Sequence, residues 1–347
     1  MLKSPLISKS LPCPACKKEH QQRFFRQRMF VPNVVESDQH VVSYKWLAND
    51  VEKAYPGYYF VYFCPSCGYA DTTEDFAKPP ASPALGQVLK EYRKNGTADP
   101  VAQMLVKEID YANIDFTGAL RLYLLALRVH SMGADESIRD TYKLGRICLR
   151  IAWLYRERNA AAQEPDADAA PETLDQGLAE LRALWPDAPL TERDAMLMAV
   201  QFFKRALLTD TRFDSTANHM KVSLLTADLA IRCDDYAAAM EVARGMYQPA
   251  VDERGRIQEK MQKKDTPESE QRQLQVGMKR VSEALERAGE LRREILEMME
   301  KREMPRITRI ARETGAKGDD LERALLDNGI FPEVVAELKG RDALRRF

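Results

Sequence analysis

Six cysteines occur in the chain, and four of them form two Cys-x-x-Cys pairs, Cys13-Pro-Ala-Cys16 and Cys64-Pro-Ser-Cys67. Two thiolates separated by two residues can approach one cation from a single tight turn. Proline favours that turn, and a glycine after the second cysteine, as in Cys67-Gly68, permits the positive φ that closes it. Two such knuckles supply the four soft donors of a tetrahedral shell. A shell filled by protein has no position for water or substrate, so Cys13, Cys16, Cys64 and Cys67 are expected to hold one structural zinc ion.

Three other chemistries use the same residue types. A thioredoxin-like redox pair needs one such motif inside a βαβ unit, and no βαβ pattern surrounds either pair. His20 follows Cys16 by four residues and could replace a thiolate, although four are already present. An iron–sulfur cluster also accepts four cysteines. Cys148 and Cys233 lie in apolar helical contexts and are expected to be buried and inert. No residue stands out as catalytic. His20, His40, His130 and His219 lack metalloprotease spacing, and no glycine-rich phosphate loop is present.

The knuckles need elements to carry them. Forty-seven residues separate Cys16 from Cys64. Within them, Gln22 to Val31, His40 to Trp46 and Tyr58 to Phe63 read as strands, so one small antiparallel sheet is expected to carry both knuckles. Tyr58 to Phe63 is apolar on both faces and is expected to be covered on both. The functional alternative is base stacking on Tyr58 or Tyr62, with Arg23, Arg26 and Arg28 on phosphates.

After Pro79-Pro80 the pattern becomes helical. Asp99-Pro100 opens a helix expected to reach about Tyr111, followed by Gly118 to Val129 and Ile138 to Arg158. Ala160 to Pro171 reads as a loop. Thr191 to Asp194 reads as a capping-box variant before Met196 to Leu208, and a further pair spans Thr216 to Tyr247. In that pair Tyr236, Ala239 and Ala243 fall where tetratricopeptide-like hairpins put an aromatic and then small residues. Thr266-Pro267 begins a charged helix to Glu303, with Leu274, Met278, Val281, Leu285 and Ala288 spaced by fours and threes before the register shifts to Leu291, Ile295 and Met298. This stripe is expected to fold back on its own chain or to pair two protomers. Gln248 to Gly255 and Asp265 to Glu268 read as flexible junctions, and beyond Pro305 three short helical stretches are expected. The fold class is therefore mainly α with a small N-terminal β zinc-ribbon-like part. Three segments follow: 1–80 zinc-ribbon-like, 81–250 tetratricopeptide-like, and 251–347 charged and helical.

The sequence CPAC, the later VESDQ, the run YPGYYFVYFCPSCGYADTTEDF and the helix end IAWLYRER together resemble the uncharacterised bacterial family filed as domain of unknown function twenty-two twenty-five, over roughly residues 10 to 250. That resemblance implies a zinc-binding N-terminal part joined to tetratricopeptide-like helices in a bacterial cytoplasmic protein, and it implies no reaction. The Ala/Asp/Pro insertion and the charged C-terminal region depart from the family pattern.

With 53 acidic against 52 basic residues, 45% apolar and 30% charged, the 347-residue chain can bury a core and carries no global field for nucleic acid or anionic membrane. No apolar run is long enough to span a bilayer, and the N-terminus lacks a signal-peptide core, so a cytoplasmic location is expected. The function expected from these features is a zinc-stabilised adaptor that binds protein partners through a helical-repeat surface, without catalysis. The alternative is nucleic-acid binding through the basic head, where residues 1–30 carry seven Lys or Arg against one acid.

Overall fold

A computed structural model describes residues 3–26, 28–78, 83–107, 109–110, 114–132, 139–161, 172–262 and 267–347. The expected boundary at Pro79-Pro80, residue Tyr111, the helix start at Ile138, residues 162–171 of the expected loop and the junction residues 265–266 lie outside these, and the helix expected to reach about Tyr111 ends at Val106. The chain divides into two compact units, Met1–Thr209 and Asp210–Phe347. This partition differs from the 1–80, 81–250 and 251–347 segments, because the N-terminal hairpins and the helices up to Thr209 share one core.

The first unit begins with six short strands, β1 (Leu6–Pro12), β2 (Glu19–Phe25), β3 (Phe30–Val35), β4 (Val41–Trp46), β5 (Val61–Phe63) and β6 (Ala70–Thr72). They form three separate antiparallel pairs, β1–β2, β3–β4 and β5–β6, and not the single sheet expected. Local chemistry explains the difference. Arg28 takes a φ of 60° and breaks the expected strand Gln22–Val31 into the end of β2 and the start of β3. Pro32 removes a donor where β3 shifts register. Pro56–Tyr59 winds into a 3₁₀ turn with proline at its start, so only Val61–Phe63 of the aromatic run is extended. All three of those residues are buried, as a strand covered on both faces requires.

Helices α1 (Pro83–Asn95), α2 (Pro100–Val106), α3 (Phe116–Ser131), α4 (Thr141–Ala161), α5 (Glu172–Leu184) and α6 (Glu192–Thr209) complete the unit. Side-chain caps set several starts. Asp99 accepts from the Ala102 amide at 3.0 Å, Asp115 from Gly118 at 2.7 Å, and Thr191 from Asp194 at 3.0 Å. Helix α3 is mostly apolar, with Leu120, Leu122, Leu124, Leu125, Leu127 and Val129 all buried and Arg121 and Arg128 on its partly exposed side. Helices α1, α2 and α4 and the β5–β6 pair cover it, and α4 packs in turn on α6. That last approach is close enough that a Cβ on Gly145 would lie 2.6 Å from the Phe203 ring.

In the second unit α7 (Thr216–Arg232) and α8 (Tyr236–Gly245) form a hairpin, with Ala239 and Ala243 fully buried in its seam. Helix α9 (Tyr247–Met261) runs straight through Gln248–Gly255, so that segment is ordered helix and not a flexible junction. The long α10 (Glu268–Thr314) carries the charged sequence past Glu303 and through Pro305, absorbing the first of the three short stretches expected beyond it. Gly315, at a φ of 62°, ends it, and α11 (Gly318–Asp327) and α12 (Pro332–Gly340) fold back onto it. Val281 and Ala284 of α10 join Ala250 and Ile257 of α9 in a buried cluster against which Leu274, Met278 and Leu285 pack. The apolar stripe is thus covered within its own unit, except that Met299 is buried where Met298 was expected. No helix is long and apolar enough to cross a membrane among the described residues.

Candidate metal centre

Each knuckle is a hairpin turn. Cys13–Cys16 joins β1 to β2 and Cys64–Cys67 joins β5 to β6, and both turns have the same backbone pattern. The Cys13 amide donates to Lys18 O (2.9 Å) while Lys17 N returns to Cys13 O (2.9 Å). The Cys64 amide donates to Tyr69 O (2.8 Å) while Gly68 N returns to Cys64 O (2.7 Å). The residue after each second cysteine adopts a positive φ, 76° at Gly68 and 69° at Lys17. A glycine was anticipated there only in the second knuckle. The first makes the same turn with a lysine in the left-handed region.

The turns bring the four sulfurs together, all within 4.8 Å of one another. Cys13 Sγ lies 3.7 Å from Cys67 Sγ, and Cys16 Sγ lies 3.6 Å from Cys64 Sγ. These separations exceed a disulfide bond of about 2.05 Å, and all six cysteines are free. The four sulfurs can hold one metal ion. Cys13 and Cys64 are buried, Cys16 and Cys67 partly so. His20 is not a member of the cluster. Hydrogen bonds from the Cys64 and Cys67 thiols pull the Cys13 sulfur far below the usual thiol range, and the same contacts with Cys13 push Cys64 up to about 12 and Cys67 higher still. Cys148 and Cys233 are fully buried elsewhere, and burial pushes the Cys148 thiol up.

Helix α1 clamps both turns, a feature with no motif to announce it. Tyr92 donates its hydroxyl to Cys67 O at 2.6 Å, and Arg93 reaches Pro14 O at 2.8 Å and Ala15 O at 3.1 Å. Buried Gln22 ties the hairpins together, its amide donating to Phe63 O at 2.8 Å and accepting from Phe63 N at 3.4 Å. Behind the second knuckle Asp71, 1% exposed, meets His130 Nε2 at 2.9 Å, Lys143 Nζ at 2.5 Å and the Tyr69 hydroxyl at 3.0 Å. Burial alone would raise the Asp71 carboxyl, but His130 and Lys143 outweigh it and hold it well below the usual carboxylate range.

The VESDQ and AWLYRE segments meet in space. Arg156 of α4 binds Asp38 at 2.9 Å and Glu192 at 2.7 Å, and also pairs with Glu36. Trp153 Nε1 donates to Asp38 at 3.2 Å, and buried His40 lies 2.9 Å from Glu36 and 2.8 Å from Glu157. Of the residues considered for base stacking, Tyr62 is buried against Phe76 and Tyr58 packs edge-on against Tyr55. Arg26 and Arg28 are exposed.

Residues 6–266 match the family model described as an uncharacterized protein conserved in bacteria (DUF2225). No curated protein and no solved structure matches the chain.

Proposed function

The chain belongs to the bacterial family DUF2225, and we propose that it is a zinc-stabilised adaptor that binds protein partners and carries out no catalysis. Zinc–thiolate bonds of about 2.3 Å place the corners of a tetrahedron about 3.8 Å apart, close to the 3.6 Å and 3.7 Å sulfur separations of the cluster. A zinc held so has all four positions filled by protein, which suits structure and not substrate activation. Zinc, by linking to each other the two knuckles that α1 clamps, would hold the head as a rigid presenting surface.

The observation that carries the adaptor reading is the β3–β4 hairpin. Val31, Val34, Val35 and Val42 are each between 41% and 51% exposed on it, with Leu47 just beyond at 54%. A two-stranded pair with solvent-facing valines offers both apolar surface and unpaired strand edges to a protein partner. The tetratricopeptide-like α7–α8 hairpin, with its small-residue seam, supplies the helical-repeat surface of the same reading. The test is affinity capture from a bacterial lysate with the wild type and with a Val34→Asp/Val42→Asp double variant, whose exposed changes leave the fold intact. Partners retained by the wild type and lost with the variant support the reading. Identical protein captured by both sinks it.

Exposed Lys9, Lys17, Lys18, Arg26 and Arg28 favour a second reading, nucleic-acid binding by the first hairpin. It gains if single-stranded RNA binds at micromolar or tighter affinity, weakens steeply with salt and is lost when Arg26 and Arg28 become glutamine.

A further inference from the structure

Away from the sulfur cluster, in the first unit, lies a cavity of about 280 Å³ walled by Tyr44, Tyr55, Tyr123 and Trp153, with His40 and Arg150 at its edge. Its size lies just below the usual range of ligand pockets, about 300–1,000 Å³, and suits a small molecule in preference to a nucleotide or peptide. Arg150 is the unusual member. Its guanidinium carbon lies over the Phe60 ring, 3.4 Å from the centroid, and 5.5 Å from the Trp153 centroid. It shares a hydrogen bond with the Tyr123 hydroxyl, which itself donates to Gly57 O. Among the described residues no carboxylate pairs with it, although Arg146 and Arg156 on the same helix are paired with Glu74 and with Glu36, Asp38 and Glu192. Burial, with the neighbouring Arg146 charge, pulls the Arg150 pKa below the usual guanidinium value against the Glu74 carboxylate, as expected for a desolvated cation without a direct ion-pair partner.

Two further groups face the same space. The hydroxyls of Tyr44 and Tyr55 carry no hydrogen bond among the described residues, and burial raises both pKa values, so both remain protonated donors at neutral pH. A forked cation and two unused hydroxyl donors thus converge on a cavity with flat aromatic walls. A planar oxyanion takes the fork bidentately, and a ring attached to it stacks between the walls. We propose that this cavity is a binding site for a small aromatic carboxylate, held by Arg150 with Tyr44 and Tyr55 as further donors.

The probes are benzoate, acetate, benzyl alcohol and inorganic phosphate, titrated calorimetrically into the full chain. Benzoate is expected to bind saturably, with acetate and benzyl alcohol at least about tenfold weaker because each lacks either the ring or the charge. Arg150→Gln should weaken benzoate by about tenfold or more and Tyr55→Phe, which keeps the ring, by about threefold or more. Arg182→Gln, an exposed change in the same unit outside the cavity lining, should leave affinity unchanged, as ITC on a thermally intact variant would show. Absence of benzoate binding to the wild type, equal binding of benzyl alcohol, or full affinity in both Arg150→Gln and Tyr55→Phe overturns the proposal. Phosphate binding tighter than benzoate overturns the carboxylate assignment.

Discussion

At Gly68 a side chain would meet two obstacles at once. The backbone is left-handed, and a Cβ would sit 3.1 Å from the Tyr92 hydroxyl and 3.2 Å from Val106 Cγ2. Gly68→Ala should cost about 1–3 kcal/mol and loosen the Tyr92 bond to Cys67 O. Lys17 holds the equivalent φ with a side chain, so Lys17→Gly should stabilise the first knuckle, or at worst be neutral, within about 1 kcal/mol. Thermal unfolding of the two variants side by side checks both signs. His40 gives a pH-dependent case. Burial disfavours its charged form, but hydrogen bonds to Glu157 and Glu36 more than compensate, and its pKa is raised above 6.5. A raised folded value contributes stability that is complete below the unfolded histidine pKa and is lost as pH rises through the folded one. Melting temperature should therefore fall as the solution is taken above about pH 6.5, and His40→Gln should flatten that slope. A steeper slope in the variant would contradict the assignment. The clustering of the four cysteines was legible because Cys-x-x-Cys is a local pattern. Tyr92, Arg93 and Gln22 were not, since a tyrosine, an arginine and a glutamine become clamps only through contacts made 25 to 79 residues away.

Among the elements, helices were easier to anticipate than strands. The caps at Asp99 and Thr191 and the periodicity of Gly118–Val129 encode α2, α6 and α3 in nearby residues. The hairpins depend on single backbone turns, such as the positive φ at Arg28, that any ordinary residue type can hide. Helix α9 was missed because Pro249 and Gly255 look like breakers, although proline near the start of a helix costs little and Ala250 and Ile257 are held by α10. The stripe of α10 was readable to within one residue at its far end. Met299 is 1% exposed and Met298 40%. Met299→Ala should then destabilise the second unit by about 2–4 kcal/mol and Met298→Ala by no more than about 0.5 kcal/mol. Denaturant unfolding distinguishes them, and equal losses would mean that the helix packs in another register.

For the molecule as a whole, two compact units imply two responses to metal. If the four sulfurs hold zinc as proposed, its removal should loosen the β1–β2 and β5–β6 turns, and the consequences should stay in Met1–Thr209, where the β5–β6 pair packs on α3. Chelation should lower the melting transition of that unit and leave that of Asp210–Phe347 in place, as calorimetry on the full chain would show. What the linear chain could not convey is where the units divide, because burial of Tyr69 against Tyr92 and Phe76 is set by tertiary packing and not by composition. The claim on which the rest depends is that Cys13, Cys16, Cys64 and Cys67 bind one zinc. Its most direct test is elemental analysis of the purified full chain together with Cys64→Ser. The account predicts one zinc per wild-type chain, because four thiolates fill one tetrahedral shell, and loss of that zinc in the variant. Iron in place of zinc, or a metal-free wild type whose first unit is fully folded, would contradict it.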